Sequence, residues 1–338
     1  MILRPKSSLL RHGTLHGTAS AAPMAAVPTW LRRAIPDAQG LAGKEVEEVA
    51  LTAGAAIGAL DAVVRRQERW AGAWRQRLAL AAAAVTTKQA GRVEDEAALR
   101  DAVLLTRPSD NVGPAGRFLL AWRRLAARPA EELLTKRNLA AVLEEFGYAP
   151  DDEGVSTLTD DLRQLAASDG TVGMMTGAIA IAERHGFAHA VGAWLADALL
   201  AQRTGWAYAV PLLGADAGLG ASARPRRSAA GSVATSIETD PERAKSLLAA
   251  LARAALRAID LSAELERRAD RLLAIAPKLR AKAADIVVEK LLSDDATVAS
   301  EKIVGMSDRG LRRLFDRLVE LGAVRELSGR PTFRIYGL

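Results

Sequence analysis

Three arginines near the C-terminal end of the chain stand about one helical turn apart. Arg309, Arg312 and Arg313 follow i, i+3, i+4 spacing, which places three guanidinium groups on one side of a helix. Leu311, Leu314, Phe315 and Leu318 repeat at the same period on another face. The segment therefore reads as an amphipathic helix, apolar towards a core and cationic towards a partner. A guanidinium can grip a phosphate or read guanine through O6 and N7 in the major groove. Arg330 follows in Ser328-Gly329-Arg330-Pro331, a turn between two expected strands, where it would add sequence-independent attraction for phosphate. These four arginines are the candidate DNA-binding residues.

The elements needed to position them can be read on either side. Ile286 to Leu292 predicts a helix that ends at Ser293-Asp294-Asp295, and Thr297 to Val304 predicts a short second helix. Gly305 stands at the sharp turn into the arginine-bearing helix, where a positive φ favours glycine. Ser307 is a good N-cap, Asp308 suits the first turn, and Gly322 supplies the C-cap. Val324 to Leu327 and Thr332 to Tyr336 predict two strands of a hairpin. Alternation sets Phe333 and Ile335 on one face and Thr332, Arg334 and Tyr336 on the other. Three helices and a hairpin within residues 283–338 form the pattern of a winged helix-turn-helix. That segment holds nine Lys/Arg and nine Asp/Glu, so DNA binding requires the arginines to be gathered on one face.

Other chemistry finds less support. His185 and His189 stand at i, i+4 beside Glu183, a spacing that can share a metal. Gly186 interrupts the helix between them, and the sequence offers no third ligand. Asp151-Asp152-Glu153 and Asp160-Asp161 read as acidic loops and helix starts rather than a cation site. The segment Gly214 to Gly220 matches neither a dinucleotide fingerprint nor a P-loop, and Gly43-Lys44 is followed by Glu45 where a P-loop needs Ser or Thr. Trp70, Trp74, Trp122, Trp194 and Trp206 lie on apolar faces and read as core. No nucleophile, base and orienting group come together, so the expectation is a non-enzyme without cofactor or metal.

The chain has 338 residues, 25% of them charged and 4% aromatic, with a net charge of +6. Alanine and leucine dominate, and both favour helix. The absence of cysteine removes disulfides and thiolate chemistry and fits a reducing cytoplasm. No apolar run is long enough to span a membrane. The expected organisation is a disordered basic tail at 1–28 (Met24 being an alternative start), a helical domain at 29–213 and a Gly/Arg-rich linker at 214–238. A long connecting helix at 239–282 and the winged helix at 283–338 complete it. The fold class is thus all-α with a C-terminal winged helix.

Trp70-Ala-Gly-Ala-Trp-Arg-Gln-Arg-Leu78, Glu94-Asp-Glu-Ala-Ala-Leu-Arg-Asp101, Gly113-Pro-Ala-Gly-Arg117 and Trp194-Leu-Ala-Asp-Ala-Leu-Leu200 resemble an uncharacterised alphaproteobacterial domain-of-unknown-function family. Gly205-Trp206, Pro211-Leu212-Leu213, Ser307 to Phe315 and Gly329 to Arg334 continue the likeness. The resemblance covers the chain from about Trp30 and implies no activity. The leading expectation is a DNA-binding, regulatory protein. The competing expectations are an interaction scaffold whose winged helix docks a protein partner or a second copy of the chain, and, third, an enzyme of unrecognised type.

Overall fold

Helix-forming composition and scattered glycine and proline breaks produce a mostly helical chain. The computed structural model describes residues 27–35, 41, 43–107, 110–167, 170–217, 241–281, 283–330 and 332–338. Nearly all of the expected tail and most of the expected linker lie outside the described residues.

The helices are α1 (Thr29–Ala34), α2 (Val46–Arg65), α3 (Ala71–Gln89), α4 (Glu96–Leu104), α5 (Gly113–Ala127) and α6 (Lys136–Glu145). They continue with α7 (Asp152–Ala166), α8 (Thr171–Arg184), α9 (His189–Thr204), α10 (Pro241–Ile275), α11 (Ala284–Ser293) and α12 (Asp308–Glu320). Asp95 and Asp151 cap α4 and α7 by accepting the N–H groups of Ala98 and Gly154. The second acidic run, Asp160-Asp161, is likewise spent on Arg163, Arg184 and His185. Pro129 starts only a short 3-10 turn at Ala130–Glu132, and the next helix begins at Lys136.

Helix α3 lies at the centre, packed against α4, α5, α10 and α11, while α10 lies along α2 and α9 along α8. Trp70, Trp74, Trp122, Trp194 and Trp206 are buried as expected, while Trp30 is exposed, and four of the buried ones also tie elements together. The indole N–H of Trp74 donates to the Ala258 carbonyl at 2.9 Å, and that of Trp122 to Thr86 Oγ1 at 2.9 Å. Trp194 donates to the Ala121 carbonyl at 3.0 Å and Trp206 to Asp61 Oδ1 at 2.8 Å. Each ring thus buries its apolar body and satisfies its one donor on a neighbouring element. One continuous apolar core runs from Val27 to Leu338.

Residues 214–217, at the head of the expected linker, are packed into this body. Gly214 lies so close to Trp122 that a Cβ would fall 2.1 Å from the indole. Asp197, on the almost wholly buried helix α9, accepts the N–H groups of Leu212 (2.8 Å) and Leu213 (3.1 Å) and holds that turn in place. Burial disfavours its charge, and its carboxyl is pushed up to about 8 despite those donors.

The C-terminal segment has three short strands, β1 (Thr297–Val298), β2 (Arg325–Glu326) and β3 (Ile335–Gly337), in the antiparallel order β1-β3-β2. Here the structure corrects the expected local pattern. Residues 297–304 do not form a helix. Thr297 and Val298 are β-branched and pair with Tyr336 and Ile335, a long-range ladder that overrides weak local helicity. The hairpin strands are shorter than the alternation suggests, because Phe333 sits at φ +56° and is 66% exposed. Ile335 and Tyr336 are both buried. The Tyr336 ring stacks on Phe315 with centroids 4.3 Å apart. Leu311, Leu314, Phe315 and Leu318 are buried as the period of α12 requires.

Asp197 gives this fold a signed pH dependence. Its folded pKa lies above the unfolded value, so its contribution is full below about pH 4 and is lost as the pH rises to about 8. Asp197→Asn removes the titration. Urea unfolding from pH 4 to 8 is therefore expected to show the variant gaining stability relative to wild type across that window. A constant difference between the two proteins refutes the assignment.

Candidate nucleic-acid interface

Helix α12 begins at Ser307, whose hydroxyl accepts the Gly310 N–H at 3.1 Å. Gly305, at φ +83°, makes the turn before it. With its apolar side closed over the sheet, α12 leaves Arg309, Arg312 and Arg313 exposed. Among the described residues none forms an ion pair with them. The structure thus brings these three candidate residues together on one face.

Arg330 is placed differently. Its guanidinium is half-exposed and forms an ion pair with Asp101 on α4, so the hairpin turn leans on the helical body. The stem of the hairpin is tied to α12 instead. Arg334 bonds Glu326 at 2.6 Å and Asp316 at 2.9 Å. The Glu326 hydrogen bond, reinforced by Asp316 against the effect of burial, raises the Arg334 guanidinium above its ordinary value, and the same bond lowers Glu326.

Ion pairing redistributes the charge of residues 283–338. Seven of the nine acids are paired: Glu289 with Arg69, Asp294 and Glu301 with Lys290, Asp295 with Arg100 and Arg123, Asp316 and Glu326 with Arg334, and Glu320 with Arg317. Of the nine bases only Lys290, Arg317, Arg330 and Arg334 are paired. Lys302, Arg309, Arg312, Arg313 and Arg325 have no ion pair among the described residues, against Asp285 and Asp308 on the acidic side. A segment neutral in composition thus exposes an excess of uncompensated positive charge.

Sequence reasoning missed the residues that hold this surface in place. Asp295 is 1% exposed and receives Arg100 Nε at 2.9 Å and Arg123 Nη2 on its other oxygen. Arg77 and Arg268 donate to the Leu338 carbonyl at 2.8 and 2.9 Å. Burial, with the nearby Arg100 charge, pulls the Arg77 guanidinium down to about 10. The available signal was a charge in an apolar setting: Arg77 follows Trp74 by less than a turn, and Arg100 follows Leu99.

The two histidines do not converge. His185 Nε2 meets Asp161 Oδ2 at 2.9 Å and its ring stacks on Phe187. Both ring nitrogens of His189 are buried without a hydrogen-bond partner among the described residues. No group of three metal-ligating side chains occurs among the described residues, and no helix there is long and apolar enough to cross a membrane.

Fold and surface together define a mostly helical protein that carries a small three-stranded antiparallel sheet and an arginine-faced helix at its C-terminal end. The chain belongs to the family described as protein of unknown function DUF1403, which matches residues 17–338. No curated protein matches it.

The Asp295 clamp is open to direct test. Asp295→Ala leaves Arg100 and Arg123 buried without their carboxylate, and urea denaturation is expected to show a loss of about 3–5 kcal/mol. Combining Asp295→Leu with Arg100→Met and Arg123→Met is expected to recover most of that loss. A single variant within error of wild type would show the clamp to be energetically idle.

Proposed function

We propose that this protein binds duplex DNA through a C-terminal winged helix, with α12 as the recognition helix, and acts as a regulator at the sites it occupies. The observation that carries this reading is the uncompensated arginine set at the N-terminal end of α12. In helix-turn-helix proteins that end of the recognition helix meets base edges in the major groove.

The order of elements supports it. Helix α11, strand β1, a turn segment at 299–306, helix α12 and the β2–β3 hairpin follow one another with β3 in the middle of the sheet. This order supports a winged-helix reading in which the second helix is reduced to turns. The body then serves as the platform that fixes the orientation of α12.

The arginines have distinct roles under this reading. Arg309, Arg312 and Arg313 have no carboxylate to give up, so each gains a phosphate or guanine contact outright. Arg330 must exchange Asp101 for phosphate and gains less.

The full chain, titrated against genomic fragments at two salt concentrations, tests the proposal. Arg312→Ala and Arg313→Ala are each expected to reduce preference for the best sites by about 1–3 kcal/mol. Arg330→Ala is expected to weaken preferred and random DNA alike, and by less. Absence of any DNA binding at low salt, or variants that match wild type throughout, transfers the face to protein docking.

A further inference from the structure

We infer that Phe333 is a wedge that enters the minor groove beside the duplex turn held by α12 and parts two stacked base pairs. The inference rests on the DNA-binding reading above and adds to it a named side chain, a groove and a deformation of the DNA.

Phe333 combines two unfavourable features. Its ring is 66% exposed, and its backbone lies in the left-handed region at φ +56°, where a glycine would sit without strain. It is the only aromatic residue among the described non-glycine residues with positive φ. Strand alternation would have sent the ring inward with Ile335, and the left-handed turn sends it out. Strain that persists at an exposed position points to use.

The backbone next to the ring is also held in place. On its C-terminal side the Arg334 carbonyl accepts the Ala299 N–H at 2.9 Å, and the Ile335 N–H donates to Ser328 Oγ at 3.2 Å. The Arg334 guanidinium reaches Asp316 on α12. Asp316 is one helical turn beyond Arg312 and Arg313, so the residue next to Phe333 is tied to the helix that carries the exposed arginines. On the N-terminal side Arg330 is anchored to Asp101 of the body, a partner it would have to exchange for a phosphate.

The chemistry of a duplex fits both features. The minor groove next to an occupied major groove is walled by phosphates, one of which could take Arg330 over from Asp101. Apolar side chains presented from such a position unstack a base step and bend the duplex. Inside the step the ring exchanges water for base faces.

The test uses the full chain and a short duplex with donor and acceptor dyes at its two ends. A 2-aminopurine placed along the duplex in turn reports unstacking. Wild type is expected to bring the ends together, by a bend of roughly 20–90°, and to brighten 2-aminopurine. Phe333→Gly is expected to bind with the wild-type salt dependence and to leave the duplex straight. Its melting temperature should equal or exceed that of wild type, because glycine accepts the left-handed backbone.

A duplex that stays straight when wild type binds overturns the wedge and leaves the DNA-binding reading intact. So does Phe333→Gly bending DNA as wild type does, or losing stability as a core variant would. Unchanged bending together with loss of self-association in Phe333→Gly makes the ring a protein contact and also overturns it. Failure of wild type to bind any duplex at low salt sinks the DNA-binding reading itself.

Discussion

Asp295 is the buried charge that ties the C-terminal segment to the helical body. A carboxylate at 1% exposure exists there only because Arg100 and Arg123 arrive from α4 and α5 to meet it. Removing water from a carboxylate costs several kcal/mol, and the Coulombic gain returns this only with good geometry and with hydrogen bonds to both oxygens. Any other orientation of the segment would strand one or two buried guanidinium groups. The clamp therefore contributes more to uniqueness of orientation than to net stability. Strand β3 follows from it, because Gly337 packs so tightly on the Asp295 carbonyl that a Cβ there would lie 2.6 Å away. Helix α12 follows in turn, because Phe315 stacks on Tyr336 of that strand.

The same pairing explains how a segment of balanced composition exposes positive charge. Three of the cations that neutralise its acids, Arg69, Arg100 and Arg123, belong to the body. These pairs remove two negative charges, Glu289 and Asp295, from the outward field, while the Arg330–Asp101 pair removes one positive charge. Screening shortens the reach of such a field to about 8–10 Å at physiological salt, enough to act on a surface in contact. A count of charges along the sequence cannot register this, because the compensating residues lie far away in the chain.

Much of the fold was legible for an equally physical reason. The period of Leu311, Leu314, Phe315 and Leu318, the Ser307 cap and the Gly305 turn are local, and they located α12 and its two faces. The tryptophan-bearing helices were legible in the same way. Strand β1 was not, since two β-branched residues say nothing until Ile335 and Tyr336 offer a ladder. The outward turn of Phe333 was hidden as well, because alternation assumes an extended backbone that a left-handed residue does not have. Several of the charged residues that hold elements together stood in plain view inside the segments that carry the family resemblance: Arg77, Arg100, Asp101 and Asp197. A lone charge in an apolar helix must be partnered if it is buried, but the sequence does not say by whom.

Rigidity and exposure on this surface are two sides of one arrangement. A recognition face is effective when its side chains are aimed before the partner arrives, since ordering them on contact would consume binding energy. The body aims α12 through Asp295 and steadies the hairpin turn through the Arg330–Asp101 pair. The Arg334 bridge to Asp316 fixes the angle between hairpin and helix. Among the groups left unsatisfied after all of this are three guanidinium groups on α12 without an ion pair among the described residues and one aromatic ring at a strained backbone. Elsewhere in the segment most acids are paired and the large apolar side chains of α12 and β3 are closed over. Concentrating the unmet interactions on one face, while the interior spends a buried carboxylate to hold that face still, is the arrangement expected of a protein whose binding partner supplies negative charge and flat apolar surfaces together.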